Sequence, residues 1–478
     1  VMPSASCVAN LNPLLEGYKE AAMLNPIYDP LYVIDVNETR YYLADSYEVS
    51  EDGMQITVKL KEGLKWHDGE AITADDMIFT MDVCSDTNNG AGGTNIVILN
   101  DQPVKYEKVD DLTVKVTLPM ASASYADLLG GLTLIPEHVF EGNPSVVSAG
   151  EANMKGIGSG PYKVTEFKQD EYLLLEKYED YYMGAPSIDK VTFRIISDLS
   201  AQEVALMNGE VNFMELANAP AVAKYEADPN FTVVKYPEGR VNYLAVNKFC
   251  ETVQDPKVVE AVFAALNRDE IIAGAYGDGM AESANSIFSN VNTFYDPSVE
   301  GYTQDVEKAK QLVKETGLDS KTLTLYFNSE RVYMKESAQI IQQQLKNVGI
   351  NLEVIPLESA GFFEKVFGTD GDYEFYLNGY GAVGDPDQVV AGMYDGTWGV
   401  NLAVSDEVSQ LWKDARTVYT PEERAAIYKQ IQIQTRDELT CYPIAYPNYV
   451  FVTTSNIKGA DTIKRTPVFE DYTKLTME

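Results

Sequence analysis

The sequence is poor in the residues that carry most enzyme chemistry. Its 478 residues include only two histidines, His67 and His138, and four cysteines. H-E-x-x-H, G-x-S-x-G and G-x-x-x-x-G-K-S/T patterns are absent, so metalloprotease, serine hydrolase and P-loop functions lack their central groups. We therefore expect a protein that is not an enzyme and that binds no metal or other cofactor. A glycosidase-like carboxylate pair stays open, because only tertiary structure sets its geometry.

Basic residues and long apolar runs are also scarce. Lysine and arginine total 37 against 73 aspartates and glutamates, a formal net charge of −36. Such a chain repels phosphate backbones, which argues against a nucleic-acid partner. No run approaches the ~18 apolar residues of a membrane-spanning helix, and no signal segment precedes residue 1. We expect a processed, exported monomer, periplasmic or at the cell surface.

The cysteines are too far apart for a C-x-x-C metal or redox motif, and four allow three full pairings. Their pairing stays open. The cysteine that follows Ser4-Ala5-Ser6 faintly resembles a lipidation site, so a membrane contact is expected only through an N-terminal lipid anchor, retained or lost. The four positions are Cys7, Cys84, Cys250 and Cys441.

Residues 43–83 contain a strand, two tight turns and a capped helix in close succession. Residues 50–53, Ser-Glu-Asp-Gly, predict a turn, and residues 56–60 alternate apolar and polar side chains as a half-buried strand does. His67-Asp68-Gly69 predicts a second turn. Thr73 and Asp76 then form a T-x-x-D capping box at the start of a helix through Val83.

This order resembles the N-terminal signature of the extracellular solute-binding proteins of family 5, the dipeptide, oligopeptide and nickel receptors of ABC importers. Residues 158–196 are similar to a second block of that family, with Tyr181-Tyr182 where the family usually has Tyr-Trp. Residues 208–213 and 255–272 are similar to two more. Four blocks in the family's order identify the chain as a member.

The resemblance implies an α/β fold with two lobes, the periplasmic-binding-protein-like class II, cluster C fold, with an inserted additional domain and a hinge. It places residues 1–33, 156–245 and 448–478 in a discontinuous first lobe, 34–155 in the inserted domain and 246–447 in the other lobe. The ligand is expected in a cleft that closes between the lobes.

Periodicity supports an α/β second half. Long helices are predicted over residues 258–275, 306–316, 335–348, 407–418 and 421–439, with strands over 323–327 and 352–355. Helices that alternate with buried strands indicate a parallel or mixed sheet covered on both faces.

Residues 377–387, Leu-Asn-Gly-Tyr-Gly-Ala-Val-Gly-Asp-Pro-Asp, resemble the family's aromatic-glycine loop, and its glycines would let a ligand backbone approach closely. We therefore expect ligand contacts from Tyr380, Gly381, Ala382, Val383 and Asp385. Peptide receptors of the family usually carry an aspartate for the peptide ammonium group, here aligned with Val383, which counts against free-amine peptides. Asp385 could instead cap the loop.

Two arginines and one tryptophan complete the predicted site. Arg331 follows a predicted strand, where dipeptide receptors of the family hold the ligand carboxylate; pairing with Glu330 or Glu336 is the alternative. Arg240 is at a similar position. Trp398 is expected to stack on the ligand, whereas Trp412 and Trp66 are expected to be structural.

We interpret the chain as the substrate-binding receptor of an ABC importer that captures a peptide or peptide-like solute and delivers it to a membrane permease. The alternatives are an oligosaccharide or other neutral-solute receptor, a nickel-chelate receptor and, from another class, a glycosidase-like hydrolase.

Overall fold

The structure is a computed structural model, and it describes residues 1–5, 7–15, 21–34, 38–381, 383–395, 402–462 and 471–478. The chain forms two compact units. Unit 1 comprises residues 1–217, 221–235 and 450–478, and unit 2 comprises 218–220 and 236–449. The predicted second lobe, residues 246–447, falls within unit 2, and its exact boundaries stay predictions. Residues 34–155 belong to unit 1, so their separation as an inserted domain stays a prediction.

The strands lie in both units and are, in chain order, β1 (Met2–Ser4), β2 (Tyr32–Ile34), β3 (Thr39–Tyr41), β4 (Ala44–Val49), β5 (Gln55–Leu60), β6 (Ile98–Leu99), β7 (Gln102–Pro103), β8 (Lys105–Asp110), β9 (Thr113–Thr117), β10 (Tyr162–Lys168), β11 (Tyr172–Lys177), β12 (Lys190–Ile195), β13 (Phe213–Glu215), β14 (Phe231–Pro237), β15 (Arg240–Val246), β16 (Ala281–Ser283), β17 (Thr322–Asn328), β18 (Asn351–Leu357), β19 (Phe375–Gly381), β20 (Cys441–Thr454), β21 (Ile457–Lys458) and β22 (Thr476–Met477).

The α-helices are α1 (Ala21–Leu24), α2 (Ala74–Ser85), α3 (Thr94–Val97), α4 (Tyr125–Gly130), α5 (Gly150–Asn153), α6 (Leu199–Met207), α7 (Ala219–Glu226), α8 (Pro256–Ala265), α9 (Arg268–Ala275), α10 (Val306–Thr316), α11 (Val332–Asn347), α12 (Ser359–Val366), α13 (Pro386–Val389), α14 (Ala391–Tyr394), α15 (Asp406–Ala415) and α16 (Pro421–Asp437). Within the described ranges, no helix is long and apolar enough to cross a membrane.

Unit 1 contains two four-stranded sheets. One has the order β4-β5-β9-β8 and is antiparallel throughout; the other has the order β1-β12-β11-β10, with only β1 parallel to its neighbour. Ile56, Val58 and Leu60 of β5 are buried while the residues between them are partly or fully exposed. This confirms the alternation predicted for the strand after the first turn.

The predicted capping box begins α2. The Thr73 side chain accepts from the Asp75 amide at 3.3 Å, and the Asp76 carboxylate accepts from the Thr73 amide at 2.9 Å. These bonds satisfy amide groups that a helix N-terminus leaves without an intrahelical partner. His67 has the structural role expected of it: its ring nitrogens bond Gly158 N at 3.2 Å and Gly160 O at 2.9 Å, and burial lowers its pKa to about 4.

The tyrosines of the second family block surround a buried carboxylate. Tyr181 and Tyr182 donate to Oδ2 of Asp29 at 3.0 and 2.8 Å, and the Asp29 side chain is fully buried. Burial raises the pKa of Asp29 to about 7, although both hydroxyls act in the opposite direction. Sequence analysis did not predict this cluster, because Asp29 is about 150 residues from the two tyrosines.

Unit 2 is built on a mixed sheet in which β20, β15, β19, β17 and β18 are neighbours in that order. β15 is antiparallel to β19 and β20, whereas β17 is parallel to β18 and β19. On β15, Leu244 and Val246 pack in the core with α8–α11, while Tyr243 and Ala245 pack in the core with α12, α15 and α16. The sheet is therefore covered on both faces, as predicted.

The prediction of one helix over 258–275 is wrong. The chain forms α8 and α9 instead, separated by Leu266 and Asn267. Asn267 is the N-cap of α9, and its side chain accepts from the Glu270 amide at 3.1 Å. Asparagine favours this position because its side chain competes with the helical backbone for hydrogen bonds.

The four cysteines form no disulfide. Trp66 and Trp412 are both fully buried, which confirms their structural assignment. Trp412 lies in an aromatic cluster of unit 2, with ring centroids 5.8 Å from Phe288 and 5.5 Å from Tyr428.

Candidate functional site

One edge of the unit 2 sheet collects the ends of several strands. β17 and β19 are parallel, so their carboxyl ends lie at the same edge, and β15 begins there because it is antiparallel to β19. The register pairs Arg240 with Gly381 and Val241 with Tyr380. Ligands of α/β sheets bind at the carboxyl ends of parallel strands. This register therefore places Arg240 beside the predicted aromatic-glycine loop.

A pocket of about 280 Å³ opens at this edge. Its volume is close to the ~300 Å³ lower limit of typical small-molecule pockets. Side chains and backbone from β15, β17, α11 and β19 form its polar lining: Arg240, Asn328, Arg331, Tyr333, Asn378 and Gly379. The structure thus brings together Arg240, Arg331 and residues 378–380, which belong to β19 and not to a loop, while their contacts with a ligand stay predictions.

The rest of the pocket lining is apolar or aromatic and comes mainly from α12 and the segments that cover the sheet. These residues are Met334, Phe362, Phe363, Phe367, Tyr380 and Met393. Sequence analysis identified only Tyr380 among them. The Phe-Phe pair followed four residues later by another phenylalanine was an available signal, but it resembles ordinary core spacing.

The pocket is electropositive although the protein is strongly acidic. Its described lining includes two guanidinium groups and no aspartate or glutamate, in a chain of net charge −36. Arg240 Nη2 donates to Gly379 O at 3.0 Å, and its Nε lies 3.8 Å from Glu238 Oε1. Arg331 is exposed. This sign of charge suits an anionic group on the ligand.

Both arginines act on the same tyrosine. Tyr333 is half-buried, and burial raises its pKa, whereas the charges of Arg240 and Arg331 oppose that rise. The Tyr333 ring also stacks on Tyr276 at 5.4 Å between centroids. Arg240, Arg331 and Tyr333 therefore line the same pocket, and Tyr333 is one ring of a stacked aromatic pair.

The helix that follows Arg331 adds to the positive potential. Arg331 is the N-cap of α11, and its side chain makes no hydrogen bond to the backbone at the start of the helix. The N-terminus of a helix carries a partial positive charge. Glu330, the proposed alternative partner of Arg331, accepts from Ser359 N at 3.3 Å and Ser359 Oγ at 2.8 Å.

The residues of the aromatic-glycine segment, 377–387, contribute unequally to the pocket. The Tyr380 hydroxyl donates to Ile287 O at 2.6 Å, so the ring rather than the hydroxyl is available to the pocket. Gly381 is exposed at the strand end and Val383 is half-buried; neither lines the pocket. Ala382 and Trp398 lie outside the described residues, so their ligand contacts stay predictions.

Val383 packs against the turn before β15. Gly239 has φ +74°, and a Cβ built there would lie 1.9 Å from Val383 Cγ2. Only glycine fits at such a position, since it tolerates positive φ and has no side chain. The close approach holds the loop of Val383 next to Arg240.

Asp385 has partners inside the protein. It caps α13 by accepting from Asp387 N at 3.0 Å, as the cap alternative predicted, and it accepts from Arg424 Nη1 at 2.6 Å and Nη2 at 3.1 Å. Arg416 holds Asp387 and Asp395, each at 2.6 Å. This buried network fixes the segment after the pocket, and direct ligand contact by Asp385 stays a prediction.

Metal ligands are not assembled in the part of the chain that the structure describes. No group of three or more histidine, cysteine, aspartate or glutamate side chains there could hold a metal ion.

Known proteins match over nearly the whole chain. Residues 38–401 match the model of the bacterial extracellular solute-binding proteins, family 5 Middle. The chain is 26% identical to the dipeptide-binding protein of Escherichia coli K12, over 91% of this chain and 86% of that protein. It is 29% identical to the oligopeptide-binding protein AppA of Bacillus subtilis 168, over 87% and 80%.

Solved structures agree. The ABC transporter substrate-binding protein CtaP from Listeria monocytogenes superposes with a TM-score of 0.92 at 33% identity, over 100% of this chain and 98% of that one. Bacillus subtilis AppA in complex with a nonapeptide superposes with a TM-score of 0.75 at 26% identity, over 100% and 98%. The predicted solute-binding-protein fold is confirmed, and the chain belongs to family 5 of the bacterial extracellular solute-binding proteins.

Proposed function

We propose that this protein is the substrate-binding receptor of an ABC importer, and that it captures a peptide or peptide-like solute and delivers it to a membrane permease. The observation that carries the proposal is the pocket of unit 2, whose described lining has two arginines and no acidic residue. A peptide carboxylate supplies the matching charge. The names of the dipeptide-binding and oligopeptide-binding relatives favour the same ligand class.

The carboxylate would lie between Arg240 and Arg331. A guanidinium group binds a carboxylate through parallel N–H donors, and each charge-assisted pair is worth ~1.5–3 kcal/mol. Asn328 and Asn378 offer amide groups to the peptide backbone, and the exposed Gly381 lets a backbone pass closely.

As a receptor, the protein binds its ligand and releases it unchanged, outside the cytoplasm. The proposed partners are the peptide and the permease. A monomeric state, and membrane contact only through an N-terminal lipid anchor, belong to the same proposal. An oligosaccharide could stack on the phenylalanine rings, but it would bring no negative charge to the two guanidinium groups of the pocket.

The test is isothermal titration calorimetry with the tripeptide Ala-Ala-Phe and its C-terminal amide, each with free and acetylated N-termini. We expect saturable binding of a carboxylate form and a loss of about 10- to 150-fold in affinity for Arg331→Ala, equivalent to ~1.5–3 kcal/mol. Arg436→Ala is the matched control, because this arginine is on the outer end of α16 and does not line the pocket.

Several results would contradict the proposal. Equal affinity for the acid and the amide would remove the arginines from carboxylate binding. Binding of maltotriose in a parallel titration, with no tripeptide bound, would favour the neutral-solute alternative. Steady appearance of a cleaved product would identify an enzyme instead.

A further inference from the structure

An exposed apolar surface adjoins the two arginines of the pocket. Phe363 is 44% exposed and Phe367 is 50% exposed, and their ring centroids lie 6.1 Å apart. Both line the pocket, whose floor includes Phe362, Met334 and Met393, each at most 6% exposed. Single exposed apolar residues are ordinary, but neighbouring aromatic rings at a pocket mouth mark a binding surface.

The geometry of α12 explains why these rings face the pocket. Ser359, Phe363 and Phe367 are spaced by four residues and so share one face of the helix. Ser359 Oγ accepts from Asn328 Nδ2 at 2.8 Å, and Asn328 itself lines the pocket. The hydrogen bond ties this face of α12 to the carboxyl end of β17, next to Arg331.

We infer that Phe363 and Phe367 form a subsite for a large apolar side chain on the same ligand residue that presents its carboxylate to Arg240 and Arg331. This inference rests on the proposed peptide-receptor function and adds a preference to it. A volume of about 280 Å³ equals the liquid volume of roughly nine waters at ~30 Å³ each, which is room for one large side chain and its carboxylate.

Other side-chain classes fit this subsite less well. A lysine or arginine side chain would enter a pocket that already has two positive charges and whose described lining has no carboxylate. An alanine side chain would leave Phe363 and Phe367 in water. A phenylalanine, leucine or methionine side chain would cover both rings and gain the free energy of apolar burial.

The experiment compares Ala-Ala-Phe, Ala-Ala-Leu and Ala-Ala-Ala by calorimetry, each with free and acetylated N-termini. We expect the phenylalanine and leucine peptides to bind at least about tenfold more tightly than Ala-Ala-Ala. In the double variant Phe363→Ala, Phe367→Ala, this advantage should fall to about twofold or less.

The matched control is Phe249→Ala. Phe249 is also in unit 2 and 41% exposed, but it does not line the pocket, so the preference should survive its removal. Because Phe363 and Phe367 are exposed, the double variant should keep the melting temperature within a few degrees of the parent. A variant that melts much lower is replaced by Phe363→Ser alone, which removes one ring and must still reduce the preference at least threefold.

The failure of the subsite and the failure of the receptor function give different results. Equal affinities for the three tripeptides, or a preference that survives loss of both rings, would overturn the subsite while peptide binding stands. Absence of binding by every tripeptide would overturn the proposed function, and the subsite with it.

Discussion

Removing one partner of the ion pair between Arg424 and Asp385 should strongly destabilise unit 2. Arg424 Nη1 lies 2.6 Å from Asp385 Oδ2, and the two side chains are only 7% and 8% exposed. Removing one partner of a buried pair leaves the other charge without compensation and costs ~3–5 kcal/mol. We expect Arg424→Met to lower the free energy of unfolding of unit 2 by about that amount.

Loss of the guanidinium leaves Asp385 with weaker, neutral donors. After the change, the carboxylate still accepts from Asp387 N at 3.0 Å and from the Tyr428 hydroxyl at 3.3 Å. The negative charges of Asp387 and Asp395 lie on the same segment, where Arg416 holds both. The variant would therefore have three acidic side chains and one arginine in this network, whereas the parent protein has two arginines.

Urea unfolding followed by tryptophan fluorescence measures the effect, because Trp412 lies in the adjoining aromatic cluster with Tyr428. Arg436→Met is the matched control. It removes an arginine–aspartate pair from the same helix, but Arg436 and Asp437 are 28% and 60% exposed. Such surface pairs contribute about 0–1 kcal/mol.

A double-mutant cycle tests the reasoning itself. Asp385→Asn keeps an oxygen to cap α13 while it removes the charge, so combining it with Arg424→Met should cost clearly less than the sum of the two single changes. Additive costs, or a cost of Arg424→Met no larger than that of Arg436→Met, would refute the role assigned to the buried pair.

Two further predictions concern a glycine and a buried carboxylate. Gly239→Ala should destabilise unit 2 by ~2–4 kcal/mol in thermal or urea unfolding, because φ is +74° and the new Cβ would overlap Val383. The control is Gly63→Ala, which has the same φ but nothing within 4 Å of the new Cβ and should cost only ~1–2 kcal/mol. Equal costs for the two changes would contradict the overlap. Burial raises the pKa of Asp29 from 3.8 to about 7 in the folded state, so the folded state binds the extra proton at intermediate pH. Stability should therefore fall by ~4 kcal/mol as pH rises from about 4 through 7. Asp29→Asn should flatten this part of the pH profile of the melting temperature, and an unchanged profile would show that another group is responsible.

Local features of the fold were predictable from the residues that form them. The Thr73–Asp76 capping box, the alternation of β5 and the helix over 306–316 all depend on neighbours within a few positions. Short stretches of sequence therefore suffice to predict such caps and periods. The break between α8 and α9 was missed because the residues around Asn267 fit the interior of one long helix as well as they fit a helix N-terminus.

The residues that line the candidate pocket were predicted only in part. Arg240, Arg331 and Tyr380 line one pocket, as their positions at strand ends suggested, whereas Phe363 and Phe367 were not anticipated. Phenylalanine in an amphipathic helix usually packs inward, and nothing in the sequence shows that these two rings stay exposed.

The sequence by itself determined the family, the mixed α/β second half and the segments that carry the candidate site. Tertiary structure alone decided which charges meet. Asp385 and Arg424 are 39 positions apart, and Asp29 is more than 150 positions from Tyr181 and Tyr182. Composition and periodicity fix which face of an element is buried. The partner of a buried charge depends instead on strand register and helix packing, which bring together residues that the sequence keeps far apart.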